Sequence, residues 1–162
     1  LQRSLYASKI ISYAQGFALL AAASKANQWE LDLASIARVW RNGCIIRSSF
    51  LNDIASAYEA NPELEHLLLA PYFIQEIQEA QADWGRIVMR AIEAECPVPA
   101  FSSALSYFFS LKTHRLPANM VQAQRDFFGA HTFERIDQPR GVFFHENWTG
   151  HGGDTSSSTY NI

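Results

Sequence analysis

Apolar residues recur at helical spacing over most of this chain. Tyr6, Ile10, Tyr13, Phe17 and Leu20 follow one another at three- and four-residue intervals, and Ala7, Ile11, Ala14, Ala18 and Ala21 run beside them. Two adjacent apolar lines predict a first helix from about Leu1 to Ala26 that is covered on most of its sides. Asp32 suits the cap of a short second helix through Trp40, ended by Asn42-Gly43. A third helix is expected from Ser48 or Ser49 to Tyr58. Asn61-Pro62-Glu63 joins a capping side chain, a proline and an acid, which predicts another helix start. Pro71 opens the next long helix, through Glu95, with Phe73, Ile77, Trp84, Ile87, Val88 and Ile92 as its buried face. Pro97 and Pro99 break it, and two further helices are expected near Ala100 to Lys112 and Asn119 to Ala130. Val142-Phe143-Phe144 is the one short stretch that reads as extended.

The pattern therefore predicts an all-α, multi-helix domain with an extended C-terminal tail. Composition places the change of character. Residues 1–135 are rich in Ala, Leu, Ile, Gln and Glu, whereas residues 141–162 hold four of the eight glycines and a Ser/Thr run. A length of 162 residues, 48% apolar, is enough for one core but too short for a dinucleotide-binding domain plus a substrate domain. The net charge of -3 argues against a nucleic-acid partner, which calls for a basic face. No apolar run approaches a membrane span, and no signal peptide is recognisable. Cys44 and Cys96 form neither a disulfide framework nor a zinc motif, so both are expected reduced and interior in a cytoplasmic protein. The chain opens at Leu1 in mid-pattern, as a fragment does.

Candidate chemistry concentrates late in the chain. Arg125 and His131 stand six residues apart in QAQRDFFGAHTFE, with Gly129 between them. A guanidinium presents paired donors to phosphate or carboxylate, and an imidazole adds another. Spacing leaves open whether the two form an anion site or whether Arg125 pairs with a nearby acid. His131, His145 and His151 invite a metal reading, but neither HExxH nor a paired-cysteine motif accompanies them, and no metal is expected. Trp148 and Tyr160 are large anchors within a Gly/Ser/Thr-rich end, which suits either insertion into a partner or a loose terminus. Arg47, in WRNGCIIRS, is a candidate internal charge partner. GxGxxG, GxSxG, Walker and kinase signatures are all missing.

Four segments carry a family resemblance: YASKIISYAQGF (Tyr6 to Phe17), WRNGCIIRSSFL (Trp40 to Leu51), LPANMVQAQRDFFGAHTFE (Leu116 to Glu134) and NWTGHGG (Asn147 to Gly153). In this order they resemble the C-terminal part of 6-phosphogluconate dehydrogenases, and the likeness runs the length of the chain. The resemblance implies a homodimeric, cytoplasmic enzyme of the pentose phosphate pathway that oxidises 6-phosphogluconate with NADP and decarboxylates the product to ribulose 5-phosphate. It implies that residues 1–135 are the distal part of the helical C-terminal domain and that residues 136–162 are a tail entering the partner subunit. The N-terminal Rossmann domain, which holds most of the NADP, is not in this sequence.

Residue by residue, the resemblance makes Arg125 the arginine that reaches across the dimer to the substrate phosphate. It makes His131 the histidine that hydrogen-bonds substrate from that same partner subunit, across the dimer. Ser157, Ser158, Thr159 and Tyr160 match a tail segment that approaches the partner's NADP, although Thr159 departs from the family's commoner serine. The family's general-base lysine, its general-acid glutamate and its GTGKWT lysine all precede this segment, and Lys9, Lys25 and Lys112 match none of them. No catalytic residue is therefore expected in this chain, which should be inactive alone. The alternative is a non-catalytic helical dimerisation or interaction module. A related β-hydroxyacid dehydrogenase is disfavoured, because those relatives generally lack the RDFFGAH segment and the NWTGHGG tail.

Overall fold

The computed structural model describes residues 1–148 and residue 150. Among these, six α-helices run as α1 (Gln2–Asn27), α2 (Leu33–Gly43), α3 (Leu51–Ala60), α4 (Pro71–Glu93), α5 (Pro99–Lys112) and α6 (Ala118–Gly129). Two short strands, β1 (Phe133–Glu134) and β2 (Phe143–Phe144), pair antiparallel with Phe133 opposite Phe144. The all-α expectation holds, and the extended Phe143–Phe144 stretch finds its partner in Phe133–Glu134, which carried no strand signal. The chain divides into two compact units, residues 1–109 and 110–162.

The first unit holds the apolar core, with α1 at its centre. Ala7, Ile10, Ile11, Ala14 and Phe17 are all buried, so both predicted lines of α1 face neighbours. α4 packs along α1 and contributes Phe73, Ile77, Ala80, Trp84 and Val88. α2 and α3 pack on each other. Asp32 caps α2 as predicted, accepting from the Ser35 backbone N–H at 3.1 Å. The turn at residues 44–50 is pinned to α1: Tyr13 Oη donates to the Ile46 carbonyl at 2.8 Å, and Lys9 Nζ to Ser48 Oγ at 2.8 Å. Phe50 then enters the core edge-on to Tyr13, at 4.7 Å between ring centres.

Some expectations are corrected here. Asn61-Pro62-Glu63 starts no helix. The Asn61 N–H closes α3 onto the Ala57 carbonyl, and its Oδ1 accepts from Glu63 N at 3.2 Å, folding an Asx turn instead. The next helical turn is the short 3-10 segment Leu67–Leu69, capped by His66. α3 begins at Leu51, after two turn bonds at residues 48–52 use up the expected start. Ile92 is 69% exposed, one turn past Val88, the last buried residue of α4. Cys96 is exposed and Cys44 half-buried, and both are free thiols. Arg47 is exposed as well, not an internal charge.

The second unit is organised differently. Among its described residues, only Asp126 and Gly129 are buried. A carboxylate, not an apolar cluster, holds this part together.

Candidate functional site

The arrangement starts from α6. Gln122 and Asp126 lie four residues apart and so share one face of the helix, with Arg125 beside them. The helix ends when Ala130 turns into the left-handed region at φ 50°, its N–H bonded to the Asp126 carbonyl at 2.9 Å. Thr132 follows at φ 60°, an unusual conformation for a β-branched residue. His131 sits between these two, exposed, and Arg125 is exposed on the last full turn of the helix. Arg125 Nη1 donates to Gln122 Oε1 at 3.0 Å. No carboxylate among the described residues pairs with it, so the acid-pairing alternative is not realised.

The side chain that sequence reasoning missed is Asp126. It is 0% exposed and accepts four hydrogen bonds. Oδ1 receives Thr132 N at 2.9 Å and His145 Nδ1 at 3.0 Å. Oδ2 receives Glu146 N at 3.0 Å and Trp148 Nε1 at 2.8 Å. Burial alone would raise its carboxyl pKa. The donors from Glu146, His145, Trp148 and Thr132 outweigh burial and hold it at about 2. An acid in the last turn of a helix opposes the helix dipole, and that misplacement was the available signal that tertiary donors await it. Trp148 also meets Phe127 edge-on at 6.3 Å, so this indole is anchored on α6 by both a hydrogen bond and a ring contact.

The two-strand ladder braces the loop. Gly141 N donates to Glu134 Oε1 at 2.7 Å, and Arg140 pairs with the same carboxylate. Arg135 chelates Asp137 and lies over the Phe144 ring at 5.4 Å. No three His, Cys, Asp or Glu side chains converge as metal ligands among the described residues. His145 is committed to Asp126, and His151 lies outside the described residues, as do Ser157, Ser158, Thr159 and Tyr160.

The structure thus brings Arg125 and His131 to one end of α6, with a fixed loop between them. The family model for "6-phosphogluconate dehydrogenase, C-terminal domain" matches residues 1–148. The chain belongs to the 6-phosphogluconate dehydrogenase family. It is 52% identical to the decarboxylating 6-phosphogluconate dehydrogenase of Treponema pallidum over 162 residues, covering 100% of this chain and 33% of that protein. Its identity to the enzyme of the same description from Homo sapiens is 50% over 161 residues, 99% of this chain and 33% of that protein. A Plasmodium falciparum 6-phosphogluconate dehydrogenase, whose structure is described in its apo form, with NADP+ and with 6-phosphogluconate, superimposes with a TM-score of 0.84. The two are 45% identical, and the match covers 90% of this chain and 31% of that one. This member of the 6-phosphogluconate dehydrogenase family therefore spans about a third of the length of the curated relatives it matches. No helix among its described residues is long and apolar enough to cross a membrane.

Proposed function

We propose that this chain is the C-terminal part of a cytoplasmic, NADP-dependent, decarboxylating 6-phosphogluconate dehydrogenase, and that it supplies Arg125 and His131 as substrate ligands to the partner subunit of a homodimer. One observation carries the reading. Both side chains are exposed at the end of α6, and Arg125 is bound by an amide, which leaves its charge unneutralised. A dianionic phosphate matches a guanidinium fork through parallel charge-assisted hydrogen bonds, and an exposed imidazole adds a donor at its side. The two groups bind and orient the substrate; they do not take part in the chemical step.

The described residues contain no glycine-rich turn between a strand and a helix, so they do not fit a dinucleotide cradle. NADP is assigned mainly to a domain outside this chain, with Ser157, Ser158, Thr159 and Tyr160 of this chain's tail approaching the NADP of the partner subunit. The homodimer has support in exposed apolar side chains near the site, Met120 at 75% and Phe128 at 72% among them. Residues 136–162, tethered at Trp148, are the segment that enters the partner. Free thiols at Cys44 and Cys96 suit a reducing compartment.

The test compares this 162-residue chain with the full-length protein. The full-length protein should reduce NADP when given 6-phosphogluconate, and this chain alone should not. NADP reduction by the isolated chain would overturn the division of labour.

A further inference from the structure

We infer that Gln122 and Asp126 are positioning residues that fix His131 relative to Arg125, an inference that rests on the assignment of those two residues to the substrate. Thr132 is gripped at both of its backbone groups. Its N–H donates to Asp126 Oδ1 at 2.9 Å, and its carbonyl accepts from Gln122 Nε2. Thr132 needs that grip because it sits at φ 60°, where a β-branched residue is strained and from which it relaxes when released. His131 is the residue before it, so release of Thr132 moves the imidazole. Gln122 spends its other amide atom on Arg125, accepting from Nη1 at 3.0 Å. One amide therefore holds the loop through its nitrogen and the guanidinium through its oxygen, and only this orientation of the amide satisfies both partners. Asp126 adds a second link, because its Oδ2 holds Glu146 and Trp148 while its Oδ1 holds the loop.

The test uses the full-length enzyme and its Gln122→Ala and Asp126→Asn variants. The readouts are the Kd and KM for 6-phosphogluconate, kcat and Tm. Gln122→Ala removes both the donor to Thr132 and the acceptor for Arg125 without adding the charge that Gln122→Glu places beside the guanidinium. It should weaken 6-phosphogluconate binding about tenfold with kcat within about twofold of the parent and Tm unchanged, a split that a merely structural role does not give. In an Arg125→Ala His131→Ala background, Gln122→Ala should add less than about twofold, because there is nothing left to position. Parent-like affinity in Gln122→Ala overturns the inference, and so does a loss of affinity that persists undiminished in the double background. Gln122→Ala keeps the test decisive if Asp126→Asn fails to fold. Parent-like binding by Arg125→Ala His131→Ala itself overturns the substrate assignment, a separate result read before Gln122→Ala is compared.

Discussion

Replacing Asp126 by alanine should loosen the end of α6 and the 145–148 segment together. The size of the effect follows from the carboxyl group. Its pKa falls from the ordinary 3.8 to about 2 on folding, despite complete burial. That difference corresponds to a stabilisation on the order of 2 kcal/mol for the closed arrangement at neutral pH. The sign is that of a depressed acid: the stabilisation is complete above 3.8 and is lost as the pH falls towards 2. Without the carboxylate, the Thr132 and Glu146 amides lose their acceptor, and the local opening equilibrium should shift by a factor on the order of tens. Amide hydrogen exchange at neutral pH reads those two positions directly in parent and Asp126→Ala protein. Protection should drop at both, while the α1 and α4 amides of the first unit keep theirs. Protection changed by less than roughly threefold at Thr132 and Glu146 would refute the reasoning, since the bonds would then be doing little.

Two further predictions concern the first unit. His66 Nδ1 accepts from Leu68 N at 3.2 Å, and its Nε2 meets Tyr107 Oη at 3.1 Å, so the neutral ring suits both partners. Burial lowers the His66 pKa, so its stabilisation is complete above the ordinary 6.5 and is lost as pH falls through the lower folded value; Tm should therefore drop more between pH 7.5 and 5.5, on the order of one unit either side of 6.5, in the parent than in His66→Gln. Trp84 is 0% exposed and stacks on Phe108 at 6.3 Å, so Trp84→Ala should cost about 3–5 kcal/mol in denaturant unfolding. Trp84→Phe should cost less, because the indole N–H has no hydrogen-bond partner to lose; equal costs would contradict that account.

The helices were legible because their signals are local. The periodicity of α1, the Asp32 cap and Pro71 at the head of α4 are each decided within a few residues. Asn61-Pro62-Glu63 misled because an Asx turn and a helix cap use the same asparagine oxygen, and the choice depended on Asn61 closing α3 behind it. Ile92 continued the apolar face of α4 by spacing alone, but spacing does not say where the covering neighbours stop. In the site, Arg125 and His131 were visible as residue types with suitable chemistry. The clasp was not, since Asp126 draws its donors from positions 6 to 22 residues away. Only the fold brings them to one carboxylate. The exposed Met120 and Phe128 reverse the usual rule for large apolar side chains, and the proposed dimer gives them a reason.

The central claim is that Arg125 and His131 hold the substrate. Titration calorimetry with 6-phosphogluconate on the full-length protein, comparing the parent with Arg125→Ala and His131→Ala, tests it most directly. Arg125→Ala should weaken binding about a hundredfold and His131→Ala about tenfold, with helical content unchanged, as expected for loss of a charge-assisted phosphate contact and of a single hydrogen bond. Parent-like affinity in Arg125→Ala would contradict the account.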